Sequence, residues 1–481
     1  MRSTQRVTGF FLGSLLAAWG TISTLAQTAT SSFVFSSTPA LDHVRMQPFS
    51  INSAASVDVN AVLDFPAGAT SSRASYDLDR GAAMFSRSRA ASTNASQNSA
   101  ASQNHGDSRS NHRQGGVRGL ITVPTFQGAF FSSAPASFPN GASLVPFPLN
   151  EFPFFMMGND PSDGGTTSMP AKIVTISLNL HDANGGVTSV PFAPLEQLAL
   201  HSPNFEEADY TSGKHVQFAD AVQRAEFFNN MQEDWHTVLR PQIVDRVTLD
   251  IPPTVRVRFP DGSIKTVPAY VIKTAKNGTQ FILLLDLVFN ATFIPVAINE
   301  INSGAYTRDA VNMELVFNTS LFSLNAQGGV GDCCVGGFHT FANDDATPQS
   351  RWIFAFAGWD PPGIFRGGVA DVTSMSHEIS EAFNDPFVDN IVPTWQFPGL
   401  TPGTCQGNLE TGDPVEVLAN SVFPVRIKDD GINFVFHPQT EALLQWFEQG
   451  LPSDALGGAF SYPDTTSLTT AAQACPPPPK M

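Results

Sequence analysis

From Ser86 to Gly116 the chain carries no large apolar side chain, and the wider stretch from Gln27 to about Gly116 is dominated by Ser, Ala and Asn. Such a segment cannot bury enough surface to offset the entropy of ordering it. Residues 27–116 are therefore expected to form a disordered lead, and any folded body must begin near Val117. Of the 481 residues, 42% are hydrophobic and only 14% are charged, with 37 glycines and 36 prolines. A core of useful size can form, but its surface must rest on uncharged polar groups and its connections on many turns. That composition excludes a helical bundle or a coiled coil. The formal net charge of −17 opposes binding to phosphate backbones or anionic lipid, so no nucleic-acid partner is expected.

The first 26 residues read as an export signal. Arg2 and Arg6 supply a basic start, Val7 to Gly20 is apolar or small, and Thr24-Leu25-Ala26 offers small residues for cleavage near Ala26. This stretch is too short for a comfortable membrane span, and no other apolar run approaches 18 residues. The mature chain is expected in a secreted or periplasmic location, without stable membrane insertion. Four cysteines, Cys333, Cys334, Cys405 and Cys475, suit an oxidising compartment. Because adjacent cysteines rarely bridge one another, Cys333 and Cys334, or one of them, are expected to pair with Cys405 or Cys475. No CxxC spacing supports a cysteine-based zinc site.

Within the body, Lys172 to Leu180 alternates like a strand, with Val174, Ile176, Leu178 and Leu180 on one face. Val216 to Met231 has helical spacing, and Val255–Phe259 with Ile264–Val271 forms a hairpin pattern around Pro260-Asp261-Gly262. Phe281–Phe289 and Trp352–Phe356 read as buried strands, and Thr440–Gln449 as a helix. Strands before and helices after predict an α+β fold. The expected divisions are a mixed α/β body over 117–300, a second region over 301–475 and a proline-rich tail over 476–481.

One segment carries chemistry: Asp371-Val-Thr-Ser-Met-Ser-His-Glu-Ile-Ser-Glu-Ala-Phe-Asn-Asp-Pro386. Asp371 and Thr373 can cap a helix start, and Pro386 stops the helix near Asn384. Val372, Met375, Ile379 and Phe383 fall on one side. His377 and Glu381, four apart, fall on the other, with Cβ atoms roughly 5–6 Å apart, so that an imidazole nitrogen and a carboxylate oxygen can converge on one ion. Glu378 follows the first of these, where HExxH metallopeptidases carry the general base. The competing reading makes the same three residues the solvated face of an ordinary amphipathic helix. Upstream, His339 sits at a strand-like position in Gly336-Gly337-Phe338-His339 and is a candidate for a substrate cleft or a structural hydrogen bond. His437 reads as a cap-region residue, with a late metal ligand as the alternative, and His236 as a structural residue that follows a helix. No phosphate loop, GxSxG elbow or Ser/His/Asp signature is present.

His377–Pro386, followed by Glu410-Thr-Gly-Asp413 and preceded by the Cys334–Thr340 stretch, resembles an HExxExxxDP helix with a downstream ExxD segment. That pattern belongs to zincin-like secreted proteins, among them the plant phosphate-induced, Exordium-like proteins and bacterial exported proteins. The resemblance covers Gly331 to Asp413. It implies a zincin-like metallopeptidase core in the C-terminal half, preceded by a β-rich region. It further implies His377, Glu381 and Glu410 as zinc ligands, Glu378 as the base, and Asp413 and Asp385 as an alternate ligand or supporting partners. One imidazole and two carboxylates cancel the charge of a divalent ion, so this set polarises a carbonyl less than two imidazoles and one carboxylate would. Its oxygen content also admits calcium or manganese. The expected function is metal-assisted hydrolysis of a peptide or protein substrate. The alternative is a non-catalytic extracellular structural or binding protein with a fold-stabilising ion.

Overall fold

A computed structural model describes residues 44–46, 122–132, 150–211, 215–259, 261–344, 350–399, 405–429, 432–453 and 456–475. The expected signal (1–26), nearly all of the expected lead and the tail (476–481) lie outside the described residues. Two sheets organise the body. Their strands are β1 (Val44–Met46), β2 (Thr166–His181), β3 (Val187–Val190), β4 (His236–Ile251), β5 (Tyr270–Thr274), β6 (Gln280–Leu285), β7 (Val311–Phe317), β8 (Thr319–Leu324), β9 (Val330–Val335), β10 (Gly337–Asp344) and β11 (Arg351–Trp359). Five helices accompany them: α1 (Glu196–Leu200), α2 (Phe218–Glu226), α3 (Asp286–Ser303), α4 (Thr373–Asn384) and α5 (Leu444–Phe447).

The larger sheet runs β1-β10-β11-β7-β2, with β4 parallel to β2 over nearly its whole length. On the other side of β2, β7 pairs in parallel with Ala171–Ile176 and β3 pairs antiparallel with Leu178–His181. The second sheet runs β5-β6-β8-β9.

Alternation assigns the two faces of the large sheet. Val174, Ile176, Leu178 and Leu180 of β2, with Trp352, Phe354 and Phe356 of β11, join α3 and the second sheet in one core. Met169, Ala171 and Ile173, with Ile353, Ala355 and Ala357, join α2 and α4 in another. The small Ala355 and Ala357 let α4 lie close to the sheet. A third core, rich in aromatics, holds Phe126, Phe154, Trp235, Trp395, Trp446 and Leu409.

Neither the α+β fold expected from the order of strands and helices nor the zincin-like core implied by the resemblance is what forms. Strands account for 45% and helices for 17% of the described chain, and strands run through to Ser461–Tyr462. The helical-looking stretches are shorter than their periodicity suggests: Val216–Met231 yields only Phe218–Glu226, and Thr440–Gln449 only Leu444–Phe447. His236, read as following a helix, opens the 16-residue strand β4. In the other direction, the apolar run Phe281–Phe289 splits. It is strand to Leu285 and then enters α3, which ends at Gly304 in the left-handed conformation with φ 78°. Periodicity alone does not separate a buried strand from a helix buried all round.

Cys333 pairs with its neighbour Cys334, and Cys405 pairs with Cys475. The cross-pairing expected for the adjacent cysteines is therefore not what is found. Both pairs fit an oxidising environment outside the cytoplasm. No helix among the described residues is long and apolar enough to cross a membrane.

Trp395 anchors the aromatic core. It is fully buried, its ring lies 5.3 Å from that of Trp446 and 5.8 Å from that of Phe447, and its Nε1–H donates to the Asn408 carbonyl at 3.1 Å. Trp395→Ala is expected to cost about 3–5 kcal/mol, measured by denaturant unfolding. It should also loosen the segment from Asn408 onward.

Candidate metal centre

Helix α4 puts its apolar side against the sheet, as its spacing predicts: Val372, Met375, Ile379, Ala382 and Phe383 all belong to the core beneath it. Its opposite side is not solvated. All twelve residues of the helix are buried, with His377 5% exposed, Glu378 2% and Glu381 0%. The reading of these three as a solvated face is thereby removed. A charged side chain is rarely buried unless it is paired or bound to an ion.

The helix entry differs from a simple cap. Val372 occupies the cap position without a side-chain capping bond. Asp371 adopts φ 40°, a conformation that aspartate tolerates better than most residues. Its carboxylate accepts the Val372 N–H at 2.7 Å, the His437 N–H at 2.8 Å and His437 Nδ1 at 2.7 Å. His437 thus braces the helix start. Further in, Ser374 Oγ donates to Asp360 at 3.0 Å, and burial pushes the Asp360 carboxyl up to about 7. At the far end, Asp385 Oδ1 accepts the N–H groups of Asp389 and Asn390, which turns the chain at Pro386.

Two further segments close over the polar side of α4. Strand β10 brings His339, whose neighbour Phe338 points into the opposite core. The segment from Leu409 to Val415 brings Glu410 and Asp413; it is pinned at both ends by Leu409 and Val415 in the aromatic core. Gln439 ties the parts together: its N–H donates to Ser376 Oγ at 2.8 Å and its Nε2 to the Gly412 carbonyl at 2.7 Å.

The resulting cluster holds two imidazoles and four carboxylates. His377 Nε2 lies 3.0 Å from Glu381 Oε1, 3.6 Å from Asp413 Oδ1 and 4.0 Å from Glu378 Oε1. His339 Nδ1 lies 3.2 Å from Glu381 Oε2, 3.7 Å from Glu378 Oε2 and 3.8 Å from Glu410 Oε2. Two groups can each hold a metal ion: His377, Glu381 and Asp413, and His339, Glu381 and Glu410. The structure thus sets Glu410 beside His339, and Asp413 beside His377. Asp385 meets a candidate ligand through its carbonyl oxygen, which lies 3.0 Å from His339 Nε2.

That last contact fixes a proton. A carbonyl oxygen only accepts, so His339 carries hydrogen on Nε2. In the neutral ring the Nδ1 lone pair then faces carboxylate oxygens, an arrangement that repels unless a cation or a second proton lies between them. A ligating histidine whose outer N–H is held by a backbone carbonyl has this arrangement. Among the described residues the buried Asp413 Oδ2 has no hydrogen-bond partner, a further atom whose desolvation a cation would offset. Burial alone would lower the His377 pKa, but the Glu381 and Glu378 charges and the Asp413 carboxylate outweigh it and hold the imidazolium well above its usual range.

Glu441 is a site neighbour that spacing did not single out. It is fully buried beside Thr411, whose carbonyl accepts the Ala442 N–H. Burial first, and the Glu381 and Glu378 charges after it, push its carboxyl well up despite the opposing pull of His377. Its only sequence signal was a glutamate directly before the apolar run Ala442–Leu444. Glu378 and His377 also line a narrow cleft with Val369, Thr373, Ser374, Glu416 and Gln439.

Two glycines set the close approach. A Cβ on Gly337 would sit 2.8 Å from Glu378 Cγ, and one on Gly412 would sit 2.5 Å from His377 Nδ1. Gly412→Ala should therefore turn the His377 ring away and lower divalent-metal affinity roughly 10–100-fold, the usual scale for disturbed ligand support. Isothermal titration against Gly407→Ala checks this, because a Cβ at Gly407 comes no nearer than 3.6 Å to its neighbours.

Comparison of the chain with protein-family models, curated proteins and solved structures found no match.

Proposed function

We propose that this chain is an exported, metal-dependent hydrolase acting on a peptide or protein substrate. The observation that carries the reading is the position of Glu378: its oxygens lie 4.0 Å from His377 Nε2 and 3.7 Å from His339 Nδ1, beside the candidate ligands, and it also lines the adjoining cleft. His377, Glu381 and Asp413 suit a divalent cation, with ligand atoms 3.0–3.6 Å from His377 Nε2. Zinc fits their nitrogen–oxygen mixture, and manganese or calcium fits the oxygen-rich surroundings. Such a cation supplies Lewis acidity and lowers the pKa of water.

The protein's own part is positional. Glu378 would be the proton acceptor, and it is held close to the sheet: a Cβ at Gly337 would come within 2.8 Å of its Cγ and of its Oε1. Gln439 and Ser376 hold α4 and the Gly412 turn in register. Export rests on the basic and apolar first 26 residues together with the two cysteine pairs.

A second reading, a non-catalytic protein whose ion only stabilises the fold, is favoured by how deeply the ligands lie: Glu381 and Glu410 are 0% exposed. A peptide-library assay comparing the metal-loaded protein with Glu378→Gln separates the two. Metal-dependent cleavage lost in the variant supports hydrolysis. Inert proteins that both retain metal support the structural role.

A further inference from the structure

We infer that the centre is dinuclear, with the two oxygens of Glu381 each facing a different metal position. This rests on the metal reading above and extends it from one ion to two. The candidate ligands form two groups whose single shared member among the described residues is Glu381. Oε1 of that residue lies 3.0 Å from His377 Nε2, and Oε2 lies 3.2 Å from His339 Nδ1. Each position then has its own imidazole and its own outer carboxylate: Asp413 beside His377 at 3.6 Å, and Glu410 beside His339 at 3.8 Å.

The separations suit coordination. Ligand atoms about 2.0–2.2 Å from a common ion stand roughly 3.0–3.8 Å apart at ordinary bond angles, and all four contacts fall in that interval. A carboxylate that spans two ions fits the spacing of about 3.5–4 Å seen in two-metal sites. Glu378 reaches across the same pair at longer range, 4.0 Å from His377 and 3.7 Å from His339. A base in that position serves both ions.

Charge decides between one ion and two. Four carboxylates touch the imidazoles: Glu378, Glu381, Glu410 and Asp413. Two divalent cations balance four carboxylates, whereas one leaves two negative charges in a buried volume. His339 gives independent support, since its Nε2 is committed to the Asp385 carbonyl and its Nδ1 faces the Glu381, Glu378 and Glu410 oxygens. That nitrogen belongs to a position the HExxE helix spacing does not reveal. Two imidazole nitrogens with the carboxylates of Glu381, Glu410 and Asp413 make a mixed nitrogen and oxygen donor set, so manganese, iron and zinc are the metals to test.

The test uses the full chain, stripped with chelator and reloaded with Mn²⁺ or Zn²⁺. Elemental analysis is expected to give two ions per chain, and His339→Ala and His377→Ala should each retain one. If these variants fail to fold, the Mn²⁺-loaded wild type decides alone: two ions about 3.5–4 Å apart give an exchange-coupled multiline electron paramagnetic resonance spectrum. One ion per chain, or two with only the isolated six-line signal, overturns the dinuclear centre and leaves the single-metal reading standing. No bound ion overturns both.

Discussion

Glu378→Gln is expected to lower hydrolysis by about 10²–10⁴-fold, the usual contribution of a positioned general base, while leaving the fold intact. The substitution keeps the shape of the side chain, so the contact with Gly337 and the packing of α4 on β10 and β11 survive. An amide does not accept a proton at neutral pH, and the step that needs one stalls. The variant also loses one negative charge from a cluster of four carboxylates, so some fall in metal affinity accompanies the lost rate. Measuring turnover at saturating metal removes that contribution. Activity within a few-fold of wild type under those conditions would show that Glu378 is not the base and would shift attention to Glu416 across the cleft.

Helix α4 was the most legible part of this chain. Its apolar stripe, its end before Pro386 and the common side of His377 and Glu381 all follow from 3.6-residue periodicity and proline sterics, and α4 shows each of them. What spacing does not contain is the environment of the other side. An amphipathic pattern ordinarily means solvent on the polar face, but here β10 and the Leu409–Val415 segment cover it. Those partners stand 42 and 29 residues away from Glu381 at His339 and Glu410. Their pairing depends on strand register and on where the aromatic core pins Leu409, which no local pattern encodes.

The strands show a similar division. Lys172–Leu180 was legible because it alternates, yet the same alternation hid that β2 is buried on both faces, with Met169, Ala171 and Ile173 packed under α2 and α4. The long parallel partner β4 was not legible. Its residues Arg240, Gln242, Asp245 and Arg246 give it a polar sequence, and only its pairing with β2 makes it a strand. The continuous apolar run into α3 had no period to read. The result was an expected balance of helix and strand that tertiary pairing shifted toward β.

Removal of metal is expected to destabilise the protein strongly, and the reason lies in burial rather than in the number of bonds. Glu381 and Glu410 are 0% exposed and Asp413 is 2% exposed. With a cation their charges are compensated; without one they stand against each other in a medium that solvates them poorly. Breaking a buried ion pair by deleting one partner costs about 3–5 kcal/mol. For a folded body of this size, at about 2.1 cal/mol/K of unfolding entropy per residue, that corresponds to a fall in Tm of roughly 4–7 °C. The metal-free form has one remedy, protonation. His377, held above the ordinary imidazole value of 6.5 in the metal-free protein, stabilises the fold fully below that pH and progressively less as pH rises through its higher folded value. Glu441, raised above 4.5, acts in the same direction, because a carboxyl that stays protonated in the fold but ionises in the unfolded chain weakens folding as pH increases. Thermal melts of chelated and reloaded protein between pH 5 and 9 should therefore diverge, with the gap widening toward alkaline pH. A gap that stays constant across this range would show that the buried charges are balanced by groups other than a cation, and a gap of zero would remove the metal from the account of stability altogether.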